Sequence, residues 1–493
     1  MEAEAKHHEL YDALCGIVGP KYVTDDEYAL YCYCTDLDLW DPLIRRIMPG
    51  VIVRPNTTDE VVTIVKLANR TLVPIVPRGG FATMSGATEG EARRHILLDL
   101  SRMSKVLDVN EDNMTATFEA GIPCAKAEVI IKERTNGKFE AHGPLMPGRT
   151  VSWGGWLSGI AGGCGLTYRD FITGTLAHDD TAGMKIVLPT GDILQTGLGP
   201  GVNVHLTETY SRLLVPGINP SYLFLGDGGT LGIKTEITVK LYPTPKVMKT
   251  GSFLFDSIEK LFRAEFDISR HDPPVHDGMF GILPTMFKLN HIPIEKHGMV
   301  YSVHGSVPEE CEAREKVIKE ICAKYGEPGT EISDAMAYAL LGEPNVRGGM
   351  RDMAGTFNTG ILAAADSYMP VDRFLEELPG IEKKVAEWAP RAEELGIPGL
   401  DHFEIVDNSI AYYAIDYVYD NANPEHVELA RDATADIAEY LVRHGASTWQ
   451  SGGILGKVNR ELGFSATHLN LLRTIKKALD PNNVLNPNNT MFG

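Results

Sequence analysis

Residues 77–86, PRGGFATMSG, combine residue types that suit one piece of chemistry, the binding of a phosphate. Glycines at 79 and 80 permit positive φ and close approach of the backbone. The amides that follow, with the hydroxyls of Thr83 and Ser85, can form a nest for a pyrophosphate. Taken alone, the same loop also fits an ordinary glycine turn between strand and helix. A second glycine-dense stretch runs from Gly143 to Gly174 and contains TVSWGGWLSGIAGG (Thr150–Gly163). A third glycine pair, Gly228-Gly229, precedes the strand pattern TLGIKTEITV, where close backbone approach competes with plain burial of a strand. No GxGxxG follows the first strand pattern and no GKS/T is present, which sets aside the Rossmann and P-loop readings.

The elements that must position these loops are legible in the periodicity. VIVRP reads as a short strand ending at Pro55. NTTDEVVTIVKLANR reads as a helix with Thr58 as its N-cap, and LVPIVPRGG as a second strand entering the glycine turn. A β-rich block from Ile96 to Gly121 follows, with turn chemistry at 110–113. MKIVLPTGDILQTG and TLGIKTEITVKLYP then close the first half near Pro245. Beyond it, strand patterns alternate with helix patterns: VYSVHGSV before PEECEAREKVIKEICAKYG, GILAAADSYMP before VDRFLEELPGIEKKVAEWAP, and FEIVDNSIAYYAIDYVY before PEHVELARDATADIAEYLVRHG. That alternation predicts an α+β sheet with helices on one face. LNLLRTIKKAL reads as a final helix stopped by Asp480-Pro481.

Composition bounds the partners. The chain has 493 residues, 43% hydrophobic, with a formal net charge of -20, which fits a globular protein of two or three domains. Such a surface repels nucleic acid and anionic membranes, though a few local cations can still bind an anionic substrate. No apolar run is long enough to span a membrane and no secretory leader opens the chain, so a cytoplasmic protein is expected. Its seven cysteines are scattered without a CxxC pair; reduced thiols are expected, and neither a metal site nor an iron–sulfur cluster.

Five segments in order resemble the family of FAD enzymes that includes vanillyl-alcohol oxidase, p-cresol methylhydroxylase, and the glycolate and D-lactate dehydrogenases. They are PNTTDEVVTIVKLANR, PRGGFATMSG, TVSWGGWLSGIAGG, GMKIVLPTGDILQTG with LFLGDGGTLGIKTEITVKLYP, and ALDPNNVLNPNN. The resemblance covers nearly the whole chain. It implies an α+β, two-domain FAD-binding fold of the p-cresol methylhydroxylase type: an FAD domain over 1–246, an α+β cap over 247–450, and a segment 451–493 that returns to the FAD domain. It implies that the flavin is held by Pro77, Arg78, Gly79, Gly80, Phe81, Ala82, Thr83, Ser85 and Gly86 in the first loop. Pro144, Thr150, Gly154, Gly155, Ser158 and Gly159 would serve in the second, Gly229 and Ile233 in the third, and Asn486 in the C-terminal strap. Phe81 stands where several covalent relatives carry a histidine, so the flavin is expected to be noncovalent.

The activity implied is oxidation of a small hydroxylated substrate by hydride transfer to flavin N5. Both an aromatic or benzylic alcohol and a 2-hydroxy acid are open. A non-redox transferase like alkyl-dihydroxyacetonephosphate synthase, or a flavoprotein subunit feeding an electron-acceptor protein, are the alternatives. The histidines of the hydroxy-acid motif HxGDGNxH are missing from HFEIVDNSIAYYAIDY, which argues against a metal-assisted mechanism. Oxidising an alcohol needs a group to take the hydroxyl proton. His178 and Asp179 can supply it, or can simply cap or turn the chain. Tyr168 and Arg169 can orient an anionic or phenolic group, or form a structural salt bridge. Tyr412 and Tyr413 are neighbours on a strand and point to opposite faces, so at most one meets the flavin. His402 and Glu404 share a face of the same segment. Arg351 is a candidate for substrate charge, and Trp449 and Gln450 for lining the site.

Overall fold

The computed structural model describes residues 2–33, 48–80, 94–142, 151–159, 180–197, 218–289, 292–330, 332, 361–397, 399–407, 409–420, 422–448 and 453–487. In the first half, β1 (Val23–Thr24), β2 (Val51–Val53), β3 (Ile75–Arg78) and β4 (Ile96–Asp99) form a four-stranded sheet in the order β1-β2-β4-β3. β2 and β3 both run parallel to β4, which lies between them. Helix α1 (Glu2–Val18) and helix α2 (Thr58–Thr71) cover this sheet, with Leu10, Leu14, Val61, Ile64 and Val65 in one apolar cluster with Val51, Ile75 and Ile96. α2 begins one residue earlier than its pattern suggests. Thr57, not Thr58, is the N-cap: its hydroxyl accepts from Glu60 N at 3.2 Å, while Glu60 reaches back to Asn56 N at 2.6 Å. Both threonines fit the cap; only the first is extended, as a cap requires.

A five-stranded antiparallel sheet follows, in the order β5-β6-β10-β8-β9, from β5 (Val106–Asn110), β6 (Thr115–Glu119), β8 (Thr181–Val187), β9 (Ile193–Gln195) and β10 (Ile233–Lys240). Helix α3 (Cys124–Arg134) adds Ala127 and Ile131 to its core, which Phe118, Trp153, Trp156, Met184 and Ile237 fill. The short strands β7 (Phe139–Glu140) and β11 (Tyr242–Pro243) pair beside it. The C-terminal chain returns here. After helix α9 (Ala466–Leu479) it runs alongside β3, with Ile75 N donating to Val484 O and Asn486 N to Ile75 O, each at 2.7 Å.

The second half is built on a nine-stranded sheet, β15-β12-β14-β13-β18-β19-β17-β20, with β16 pairing with β19. Its strands are β12 (Val247–Phe255), β13 (Gly278–Ile282), β14 (His297–Gly305), β15 (Glu327–Pro328), β16 (Ile361–Ala364), β17 (Ser367–Pro370), β18 (Gly399–Asp407), β19 (Ile410–Tyr419) and β20 (Ser447–Thr448). The segment read as one strand, 403–419, is a hairpin of β18 and β19, since Asp407 pairs back with Ile410. Helices α5 (Ile258–Ser269), α6 (Pro308–Cys322), α7 (Val371–Leu395) and α8 (Pro424–Arg443) pack into one apolar core with one face of this sheet, as the alternation of patterns predicts. Among the described residues, no helix is long and apolar enough to cross a membrane.

Candidate active site

A cavity partly open to solvent lies where the two N-terminal sheets meet. The end of β3 supplies Pro77, Arg78, Gly79 and Gly80. Helix α4 (Trp153–Ser158) and its flanks supply Ser152, Gly154, Gly155, Ser158 and Gly159. The turn into β10 supplies Gly228, Gly229, Gly232, Ile233 and Lys234. Leu100 and Ala120 complete the wall.

Ser152 ties the first two segments together. Its hydroxyl is fully buried and accepts from Gly155 N at 3.1 Å and Gly80 N at 3.2 Å. Gly79 needs to be glycine because of this contact, since a Cβ there would land on Ser152 Oγ. Positive φ, which the sequence allows at this loop, is not what Gly79 uses; its backbone lies outside the left-handed region. Gly154 is equally tight, with a Cβ falling 2.8 Å from Ala120 Cβ.

The third segment does use positive φ, at Gly226 (70°), Gly228 (61°) and Gly229 (68°). Asp227 organises this turn. Its carboxylate accepts from Gly229 N at 3.1 Å, Leu231 N at 3.2 Å and Lys234 Nζ at 2.7 Å. Asp227 and Lys234 are both buried, and burial holds the Lys234 ammonium below the usual lysine range, with the Asp227 charge pulling the other way. From behind, Asn486 Nδ2 donates to Gly228 O at 2.8 Å. Lys476 Nζ donates to Thr230 O at 2.9 Å, Leu485 O at 2.6 Å and Asp480 Oδ2 at 2.6 Å. Asn486 therefore supports the cavity wall rather than lining it.

A wall of glycines that side chains would fill, leaving backbone exposed, fits the phosphates of a dinucleotide better than an apolar ligand. Of the residues expected to hold the flavin, Pro77, Arg78, Gly79, Gly80, Gly154, Gly155, Ser158, Gly159, Gly229 and Ile233 all line this one cavity. Phe81, Ala82, Thr83, Ser85, Gly86, Pro144 and Thr150 lie outside the described residues, as do His178, Asp179, Tyr168, Arg169, Arg351, Trp449 and Gln450. Asp180, the residue after the His178-Asp179 pair, accepts a hydrogen bond from Tyr242, whose ring stacks on His142 at 4.1 Å.

On the nine-stranded sheet the two tyrosines part, as alternation requires. Tyr413 packs against Phe374 in the helix-side core and is a packing residue. Tyr412 lies on the other face, its hydroxyl donating to Asp366 Oδ2 at 2.8 Å. In the β18–β19 register, His402 stands across from Ala414 and Glu404 from Tyr412. Sequence reasoning missed Ser152, Asp227, Lys234, Lys476 and Asp366. A polar residue flanking a glycine run, as in SWGG and GDGG, is the one signal that could have found the first two.

Comparison with known proteins places this geometry. Residues 49–197 match the FAD binding domain model and residues 299–490 the C-terminal domain of FAD linked oxidases. The glycolate oxidase subunit GlcD of Bacillus subtilis is 25% identical over 488 residues, 97% of this chain and 96% of that protein. The mitochondrial D-lactate dehydrogenase (cytochrome) 1 of Saccharomyces cerevisiae is 25% identical, covering 89% of this chain and 72% of that one. Alkyldihydroxyacetonephosphate synthase of Dictyostelium discoideum is 28% identical over 55% of this chain and 40% of its own. A crystal structure of p-cresol methylhydroxylase with substrate bound superposes with TM-score 0.77 at 18% identity, covering 99% of this chain and 97% of that one. With most residues of the glycine-walled cavity inside the first matched region, the chain belongs to the FAD-linked oxidase and dehydrogenase family, has the p-cresol methylhydroxylase fold, and is an FAD-dependent enzyme.

Proposed function

We propose that this enzyme oxidises a small hydroxylated substrate, a 2-hydroxy acid or an aromatic or benzylic alcohol. The observation that carries this reading is the end-to-end match to a glycolate oxidase subunit, which spans both halves of the chain. FAD, when bound, supplies the acceptor for a hydride and its two electrons. The chain's own residues do the rest. The segments around Gly79, Gly155 and Gly229 bring backbone amides against the dinucleotide, and the cap, residues 247–450, closes over the FAD domain, 1–246. The segment 451–493 braces the cavity from behind. Phe81 cannot form a covalent bond to the flavin, which supports noncovalent binding and leaves the cap as the other place for a link. We take the protein to be cytoplasmic, with its electrons passed to an acceptor protein or another oxidant. A non-redox transferase is the second reading, supported by the similarity to alkyldihydroxyacetonephosphate synthase over about half of the chain.

Anaerobic mixing of the yellow protein with glycolate, D-lactate and 4-hydroxybenzyl alcohol separates the two. Bleaching of the visible flavin band by any of them is the expected result. A flavin that dithionite reduces but no hydroxylated compound does would favour the transferase. The same preparation should release its flavin on acid precipitation; colour held in the pellet would show a covalent link.

A further inference from the structure

The cap sheet sorts its side chains by chemistry. Along β19, Ala411, Tyr413, Ile415, Tyr417 and Tyr419 join the four helices in the apolar core. The opposite face holds Tyr412 and Ala414, packed with Tyr368, and the alternating position of Asp416. Asp366, in the bend between β16 and β17, and Asp416 are each only 2% exposed. Asp366 accepts from Tyr412 OH at 2.8 Å and interacts electrostatically with Asp416, while its Oδ1 is buried and has no hydrogen-bond partner among the described residues. The Tyr412 ring packs on Tyr368, its partner across the β17–β19 ladder, at 5.3 Å. A sheet face that only packed would be apolar, because burying carboxyl groups without full hydrogen bonding is costly. Two sealed carboxyls behind an oriented phenol form instead a proton-handling group.

We propose that Tyr412 takes the hydroxyl proton of the substrate and passes its own proton to Asp366, with Asp416 sharing the charge of the pair. This rests on the oxidoreductase reading. The substrate's C–H bond breaks with both electrons, the hydride leaving to the flavin, and a C=O double bond forms as the O–H bond breaks. The phenol oxygen of Tyr412 gains that proton and loses its own along the existing hydrogen bond. Asp366, a carboxylate before the step, ends it protonated and later releases the proton to solvent. Burial pushes Asp366 up to about 7, against the hydrogen bond from Tyr412 and the interaction with Asp416. Below that pH Asp366 already carries a proton and cannot accept another, so reduction is slow; above it the acceptor is free and reduction is fast. The groups able to modulate it among the described side chains are Tyr412 and Asp416 on β19 and Tyr368 on β17.

Stopped-flow flavin reduction by whichever of glycolate, D-lactate or 4-hydroxybenzyl alcohol bleaches the wild type tests this across neutral pH. The variants are Tyr412→Phe, Asp366→Asn and Asp416→Asn, each loaded with FAD and normalised to flavin content. Tyr412→Phe and Asp366→Asn should slow reduction by about 10²-fold or more, the scale of a lost general base. Asp366→Asn should also flatten the rise in rate near neutral pH, and Asp416→Asn should displace it. Melting temperatures check folding; if Asp366→Asn does not fold, Tyr412→Phe, which removes a single oxygen, gives the reading. Wild-type rates and an unmoved pH profile in Tyr412→Phe and Asp366→Asn would overturn the proposal while leaving the oxidoreductase reading intact. A wild-type flavin that none of the three compounds reduces would remove both.

Discussion

Replacing Gly79 by valine is expected to give a folded protein that purifies without flavin. The new Cβ would land on Ser152 Oγ and lie 3.4 Å from Gly155 Cα, and the two branch methyls would project further into the wall. Ser152 is fully buried and cannot swing away without releasing Gly80 N and Gly155 N, which it holds at 3.2 and 3.1 Å. Overpacking of this kind costs about 1–3 kcal/mol, and a lost serine cap adds about 1 kcal/mol. A domain stable by roughly 5–15 kcal/mol survives that loss. Binding does not, because the wall on which the dinucleotide rests has moved, and each 1.4 kcal/mol weakens affinity about tenfold. Flavin absorbance per chain and the Kd for added FAD give the answer. Normal flavin content in Gly79→Val would mean the loop is a turn that no cofactor touches.

Lys476→Met should have the larger effect on stability. The Lys476 ammonium is buried and serves three oxygens at once, Thr230 O, Leu485 O and Asp480 Oδ2. Methionine fills the space but leaves Asp480 as a buried charge without its cation. Breaking such a pair from one side costs about 3–5 kcal/mol. Asp480 also caps Val484 N at 3.0 Å and Leu485 N at 2.9 Å, so the strap along β3 loosens with it. The consequence reaches the cofactor, since the carbonyl of Thr230 belongs to the turn that lines the cavity through Gly228 and Gly229. Chemical denaturation should show the loss, and saturating FAD should restore part of it through linkage. A variant as stable as the wild type, with unchanged flavin affinity, would show that the strap is packing alone.

The parts of this fold visible in the sequence are those written in local patterns. Helix α2, the strands around the glycine loops and the strand–helix alternation of the second half all follow from apolar spacing and turn residues. The glycine segments were legible as candidates because glycine density is itself a local signal. What their neighbours do was not. Ser152 reaches across 72 positions to Gly80, and Lys476 across 246 to Thr230, and no periodicity encodes contacts at such separations. Asp366 was passed over for a related reason. An aspartate in a bend between two strands reads as solvated turn chemistry, and only the register of β17 and β19 brings it against Tyr412. Gly79 serves close approach and not a positive backbone angle, and a glycine in a sequence does not say which of its two freedoms is used.

Diffraction from crystals of the flavin-loaded enzyme would test the cavity assignment most directly. Difference density for the pyrophosphate is expected against Gly79, Gly80, Gly155 and Gly229, with the isoalloxazine ring reaching the face of the cap sheet that carries Tyr412. Density for the dinucleotide anywhere else on the chain, or a ring standing against the helix-side core around Tyr413, would contradict it.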